Sequence, residues 1–112
     1  MKNNTTKMVV LANALWIVTL VSAPAGDAKE NWGKMCAKCH GADGKGQTVM
    51  GKKLKLNDLT DTKVQANLKD DAAFKAIKEG IIKDGKTLMK ASEGLSDADI
   101  RALVKYLRGF KP

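Results

Sequence analysis

The stretch Cys36-Ala37-Lys38-Cys39-His40 carries most of the information in this chain of 112 residues. Residues three positions apart lie on the same face of a helical turn, so the two cysteine sulfurs can reach two points on one edge of a flat ligand. The next residue, His40, can place its imidazole on one side of that ligand. A Cys-x-x-Cys-His string is the attachment signature of c-type haem, with two thioether bonds and an iron-bound histidine. The sequence therefore predicts one covalently attached haem held by Cys36, Cys39 and His40.

Other interpretations of the cysteine pair fit the sequence less well. A pair with this spacing can form a disulfide or the dithiol of a thioredoxin-like oxidoreductase, but the latter follows a β-strand and no strand-like run precedes Cys36. A structural zinc site usually has four ligands, whereas this chain has two cysteines and one histidine. That histidine, His40, occupies the position at which haem attachment requires an imidazole. The sequence favours haem over a dithiol redox centre or another metal site.

Two runs of residues match one known family. Residues 34–46 read KMCAKCHGADGKG, and residues 95–108 read LSDADIRALVKYLR. Together they resemble class I bacterial cytochromes c, which hold one haem iron between a histidine and a methionine. The resemblance implies an all-α cytochrome c fold in which three main helices and their loops wrap around one covalently bound haem. It also implies that the last helix crosses the first near the haem, with Ala28 and Tyr106 at the crossing.

Three main helices are predicted from the spacing of apolar residues and from capping residues. The last is the clearest, because Ser96 has the position of an N-cap and Asp99, three residues later, completes a capping box. Four apolar side chains then recur at positions that share one helical face, which predicts a core-facing stripe. No alternating pattern predicts a β-strand. The helices are expected at Asp27 to about Lys38, Asp70 or Asp71 to about Glu79, and Ser96 onward, with a short helix at Thr62–Asn67 capped by Asp61.

The second iron ligand decides what such a haem can do. A thioether ligand keeps the iron six-coordinate and raises its reduction potential, which suits electron transfer. In the family that the chain resembles, the methionine ligand lies between the middle and last helices, and Met89 has that position here. The resemblance therefore implies that His40 and Met89 are the two iron ligands. Met50 is the alternative to Met89.

Two prolines that are common in the family are missing. One often follows the methionine ligand, where this chain has Lys90. The other supplies a backbone carbonyl that accepts a hydrogen bond from the haem histidine, and no proline lies between Pro24 and Pro112 here. Another carbonyl, within residues 50–57, is therefore expected to accept the hydrogen bond from His40.

The N-terminal residues have the pattern of an export signal. A start with two lysines is followed by an apolar segment at residues 8–21 and by the small residues Ser22-Ala23-Pro24-Ala25. Cleavage at the end of this run gives a signal peptide at residues 1–25 and a cytochrome c domain at residues 26–112. A bilayer span needs about 20 apolar residues, so the alternative of an uncleaved membrane anchor is less favoured. The mature domain is expected in the periplasm, without stable membrane insertion.

The mature domain would be small, with 87 residues left when 25 are removed from 112. A domain of this size buries a marginal apolar core by itself. A haem would add a large, flat apolar body to that core, and thioether bonds would hold it permanently. The aromatic residues of the mature domain are Trp32, Phe74, Tyr106 and Phe110.

The basic charge of the chain predicts the kind of partner. The formal net charge is +8, and about +6 remains without residues 1–25, which contain two lysines and no acidic residue. The expected partners are redox proteins with an acidic docking surface, because opposite charge speeds a brief encounter. A solvated basic surface with no docking role is the alternative, and nucleic acid is not an expected partner. The lysines expected around the exposed haem edge are Lys34, Lys38, Lys86 and Lys90.

The resemblance implies electron transfer by a soluble monohaem cytochrome c that carries single electrons between exported or membrane-bound redox proteins. No residue is expected to act as a nucleophile or general base, so the chain is not expected to be an enzyme by itself. Two alternatives remain open. The chain could be the electron-entry or electron-exit subunit of a periplasmic dehydrogenase or reductase, or a haem sensor with an open iron position.

Overall fold

The computed structural model describes residues 12–18 and 26–112. Residues 12–18 have no regular secondary structure and are exposed. The rest of the signal peptide expected at residues 1–25 lies outside the described residues, so that boundary stays a prediction. No helix in the described part of the chain has the length and the apolar composition needed to cross a bilayer.

The described residues form a mostly helical domain, which confirms the predicted all-α class. Six helices and one two-stranded antiparallel hairpin follow each other along this part of the chain. The elements are α1 (Ala28–Met35), α2 (Ala37–His40), α3 (Val49–Leu54), α4 (Thr62–Asn67), α5 (Asp70–Glu79), β1 (Ile81–Lys83), β2 (Lys86–Met89) and α6 (Asp97–Arg108).

The core lies where α6 packs against α1 and α5. Ile100 and Leu103 of α6 are the most deeply buried side chains, with exposures of 1% and 0%. Burying one such side chain contributes about 1.5–3 kcal/mol, so the apolar stripe of α6 is a main source of stability. The predicted crossing of the first and last helices is confirmed, since Ala28 and Tyr106 both pack against the core. The core residues are Trp32, Cys36, Ala73, Ile77, Ile100, Leu103, Val104 and Leu107.

The start of α6 has the predicted capping box. The Ser96 hydroxyl accepts a hydrogen bond from the backbone N–H of Asp99 at 3.1 Å, and the Asp99 carboxylate accepts one from the backbone N–H of Ser96 at 3.0 Å. Two N–H groups that a helix leaves without partners are thereby satisfied. Asp61 caps α4 in a similar way, as its side chain accepts from the N–H groups of Lys63 and Val64.

The first predicted helix is divided in two. Asp27 caps α1 as its side chain accepts from two backbone N–H groups, and α1 ends at Met35. Cys36 joins α1 to the short helix α2, with a φ of −112° that departs from regular helical geometry. The helical region therefore continues to His40, two residues beyond the expected end. The break falls on the first cysteine of the motif.

The hairpin corrects the prediction that no strand is present. β1 pairs with β2 so that Ile82 lies opposite Thr87 and Lys83 lies opposite Lys86. The two turn residues, Asp84 and Gly85, have φ values of 52° and 74°, as a two-residue type I′ turn requires. The strands have three and four residues, too short for an alternating pattern to stand out. The Asp-Gly pair was the sequence signal that could have revealed them.

Candidate functional site

Helix α2 brings the three motif residues together on one turn. The backbone N–H groups of Cys39 and His40 both donate to the carbonyl of Cys36, at 3.2 and 2.9 Å. Cys36 is buried in the core, while Cys39 and His40 are half-buried. Both thiols are free, with no disulfide between them. The motif residues therefore share one compact turn whose sulfur atoms remain available for bond formation.

The environment of the cysteines does not suit a dithiol oxidoreductase. Burial, with a further contribution from Cys39, raises the pKa of the Cys36 thiol from 9.0 to about 11. Catalytic dithiols need the opposite change, because the thiolate is the attacking species and its pKa is usually lowered to about 3.5–7.5. The Cys36 thiol is protonated at neutral pH, so the thioredoxin-like interpretation of this pair is not supported.

His40 has the properties that an iron ligand needs. Burial lowers its pKa below the ordinary 6.5, so the imidazole is neutral at pH 7 and offers a lone pair for metal binding. Its Nδ1 atom is buried and has no hydrogen-bond partner among the described residues. The carbonyl acceptor expected within residues 50–57 is therefore not found there. Whether a carbonyl of residues 50–57 lies near His40 depends on the tertiary path of the loop, and the sequence alone does not define that path.

The ring of Trp32 supports His40 from the core side. The two ring centroids are 5.6 Å apart, and the indole Nε1 donates to the Gly41 carbonyl at 2.9 Å. Tyr106 and Phe110 surround the same indole, with centroid distances of 5.9 and 5.1 Å. Aromatic rings at such distances attract each other beyond the gain from area burial. Trp32 is therefore the centre of an aromatic cluster, and no sequence signal pointed to the place of Phe110 in it.

The chain that leaves the motif folds back closely against it. The Thr48 hydroxyl donates to the Cys39 carbonyl at 2.6 Å and accepts from the Gly51 N–H at 2.9 Å. A Cβ atom on Gly51 would lie 2.2 Å from the Gly46 carbonyl oxygen and 2.7 Å from that of Cys39. Only glycine permits this approach of α3 to α2. Sequence reasoning missed both α3 and the role of Thr48, because neither has a recognisable motif.

Met89 lies at the end of β2 and lines a solvent-open cavity whose lining contains both apolar and polar side chains. The cavity has a volume of about 640 Å³, within the range of about 300–1,000 Å³ that is usual for ligand sites. Met89 is half-buried and packs against the core. Two other apolar side chains of the lining are open to water, since Ile82 is 71% and Met35 is 46% exposed. Met50, the alternative ligand, is half-buried on α3 and does not line this cavity.

These residues fit a haem. The motif offers two free thiols and a neutral imidazole on one helical turn. Exposed apolar side chains beside Met89 present a surface that a flat apolar group would cover. Within the described residues, no group of three or more His, Cys, Asp or Glu side chains is placed to hold a bare metal ion.

The fold and the site define a c-type cytochrome domain. The family model of cytochrome c oxidase, cbb3-type, subunit III matches residues 23–107. The chain belongs to this family of bacterial cytochromes c. Family membership implies electron transfer by a haem protein with haem c as cofactor, and cytochrome c domains of this kind are typically exported.

Solved structures support the same assignment. The chain is similar to the KustC0563 c-type cytochrome, with 31% identity, a TM-score of 0.67, and coverage of 78% of this chain and 100% of that chain. A mutant of Kustc0563 gives 31% identity and a TM-score of 0.65 over 77% of this chain and 100% of that one. None of the curated proteins matches the chain.

The position of Met89 depends on Gly80, so Gly80→Ala should disturb it. A Cβ atom there would lie 2.5 Å from the Met89 carbonyl oxygen and 2.8 Å from the Ala91 nitrogen, at a φ of +76°. The matched control is Gly85→Ala, which has a φ of +74° and open space around its Cβ position. Both variants should lose about 1 kcal/mol of stability from the positive φ. Gly80→Ala should lose a further 1–3 kcal/mol or so from overpacking.

The measurements are denaturant unfolding and the visible spectrum of the haem-loaded protein. Only Gly80→Ala should change the spectrum, because only there does the added methyl group press on the backbone of the proposed ligand. Equal stability losses and equal spectra in the two variants would contradict this account of the Met89 loop.

Proposed function

We propose that the mature protein is a soluble, exported monohaem cytochrome c that carries single electrons between exported or membrane-bound redox proteins. The observation that carries the proposal is the compact turn of Cys36, Cys39 and neutral His40. When bound, a haem supplies a one-electron iron couple at this place. We also propose that the chain is not an enzyme by itself, because the haem would supply the one-electron chemistry.

Each site residue has a separate task in this proposal. The sulfurs of Cys36 and Cys39 would anchor the haem covalently, and His40 would bind its iron. Met89 is proposed as the second ligand, since it lines a solvent-open cavity of suitable volume and packs against the core. A sulfur ligand in that position would fill the last iron site, which favours electron transfer over ligand binding. This arrangement speaks against a haem sensor with an open iron position.

The covalent attachment is tested by replacing both Cys36 and Cys39 with serine. The exported variant should carry no haem after denaturing electrophoresis and should lose much of its helicity, because so small a domain has a marginal core without the cofactor. Lys38→Ala is the control, as this residue lies inside the motif but is exposed, and it should keep its haem. Extraction of haem from the wild-type protein by acidic acetone would refute covalent attachment.

The second ligand is tested by Met89→Ala with Met50→Ala as the matched control. Loss of the sulfur ligand should open the iron to carbon monoxide in the reduced protein. It should also lower the reduction potential by on the order of 100 mV, part of the range of about 0.8 V that axial ligands control. Met50→Ala should leave both properties unchanged. If instead Met50→Ala opens the iron, the assignment of Met89 is wrong.

Basic residues near Met89 support docking to an acidic redox partner. Lys86 and Lys90 flank Met89 along the chain and, like Lys38, are exposed. None of these three forms an ion pair within the described residues. Lys34 differs, because its Nζ lies 2.6 Å from a Glu30 carboxylate oxygen. That pairing reduces its value for docking, so the proposed docking surface consists of Lys38, Lys86 and Lys90.

Charge reversal at Lys86 and Lys90 should slow electron transfer to an acidic partner protein. Replacing both with glutamate should lower the bimolecular rate constant about tenfold at low ionic strength. For the wild type, raising the salt to physiological strength should have a similar effect, because screening then shortens the field to about 8 Å. Reversal of Lys63 and Lys105, on α4 and α6, is the control and should matter much less. Stopped-flow kinetics measure these rates, and a rate constant insensitive to salt and to both reversals would rule out charge-steered docking.

A second candidate function is that of an electron-transfer subunit in a larger enzyme. The matching family model takes its name from subunit III of a cbb3-type oxidase. Purification of the exported protein under mild conditions, followed by size measurement, distinguishes the two candidates. A free shuttle elutes as a small domain, whereas a subunit elutes with a larger protein.

A further inference from the structure

The chain around Gly26 lies against the start of the last helix. The backbone nitrogen of Gly26 donates a hydrogen bond to Oδ1 of Asp99, across 73 positions of sequence. The fit is close, because a Cβ atom on Gly26 would lie 3.1 Å from that oxygen and 3.3 Å from Nδ2 of Asn31. Gly26 is also the residue that follows the expected cleavage point. The nitrogen that export would free as a terminal amine is therefore the one that Asp99 binds.

The Asp99 carboxylate is held in place before any processing. Its Oδ2 accepts from the Ser96 N–H at 3.0 Å as part of the capping box of α6. Hydrogen bonds from Gly26 and Ser96 lower the pKa of Asp99 below the ordinary 3.8. The carboxylate is therefore charged at neutral pH and is already oriented toward Gly26. An acceptor that is fixed in advance loses little entropy when its partner gains charge.

The local electrostatics favour the pairing of a cation at Gly26 with Asp99. A positive charge just before a helix is unfavourable, because the N-terminal end of the helix dipole is itself positive. Gly26 lies two residues before α1, and a nearby carboxylate offsets this effect. Asp27 already accepts from the first N–H groups of α1, and Asp97 is paired with Lys78 at 2.9 Å. The charged residues within four positions of Gly26 or Asp99 in the sequence are Asp27, Lys29, Glu30, Asp97 and Arg101.

We propose that Asp99 is the receptor for the α-ammonium group that signal-peptide cleavage creates at Gly26. In that step water hydrolyses the Ala25–Gly26 bond, under the action of a signal peptidase. The new carboxylate belongs to Ala25, which departs with the signal peptide, and the new Gly26 amine takes up a proton. A peptide N–H that donates to Asp99 thereby becomes a charged donor to the same oxygen. Export processing strengthens the link between the chain entering α1 and the start of α6.

This inference rests on the predicted cleavage site and is independent of the electron-transfer proposal. The pair joins the two helices whose packing forms the core, so the mature protein should be more stable than an unprocessed one. The Asp99 carboxylate should raise the pKa of the Gly26 amine, so the added stability should be present at neutral pH and lost as the pH rises above about 8–9. The pKa of Asp99 is lowered, so the added stability should also be lost as the pH falls below about 4.

The first test compares two N-termini of the haem-loaded, exported protein. One is the natural mature chain, and the other has one serine inserted between Ala25 and Gly26, which keeps the Gly26 N–H but moves the charge one residue away. Intact mass identifies each N-terminus. Asp99→Asn is then introduced into both, and denaturant unfolding is measured at low salt. The substitution should lower the folding equilibrium constant about threefold more in the natural chain than in the extended one.

The second test measures the pKa of the Gly26 amine by NMR in the reduced mature protein, with and without Asp99→Asn. The intact pair should raise this pKa by about 0.5, which corresponds to the same threefold factor. Equal effects of Asp99→Asn in both chains, or an amine pKa that does not respond to it, would overturn the proposal. So would a mature N-terminus at another residue. The visible spectrum of each variant reports the haem site separately, so these failures do not bear on electron transfer.

Discussion

The packing of Trp32 between the haem motif and the last helix is the interaction on which the rest of the structure depends. This buried ring contacts the rings of His40 and Tyr106, and its Nε1 donates a hydrogen bond to the Gly41 carbonyl. A large aromatic side chain in such a position contributes about 3–5 kcal/mol, a large share of the total stability of a small domain. Because Trp32 lies one helical turn before Cys36, the packing of α1 on α6 also sets the place of the motif.

The two halves of the site are positioned by close backbone contacts on either side of this core. Gly51 lets α3 approach the carbonyl of Cys39, and Gly80, between α5 and β1, lets the backbone there approach Met89 and Ala91 closely. The hairpin between Gly80 and Met89 holds the methionine beside the cavity. Small residues at these places therefore have a positional role.

The elements that could be predicted from sequence are those with local signals. The helix α5 begins with Asp70 and stops before Gly80, and the capping box of Ser96 and Asp99 marks α6. The missed elements, α3 and the hairpin, are short and are held by contacts from distant parts of the chain. The motif Cys36–His40 was readable because its chemistry requires a fixed spacing, whereas the surroundings of His40 depend on how the later loops fold over it.

The unpartnered Nδ1 of His40 has a consequence for how this ring is kept in orientation. In the absence of an acceptor among the described residues, no hydrogen bond opposes rotation of the imidazole about its Cβ–Cγ bond. The tilted contact with Trp32, at an interplanar angle of 41°, then restrains that torsion sterically. The shape of the neighbouring aromatic cluster thereby influences the plane of the imidazole and the direction in which the ring would donate electrons to a bound metal.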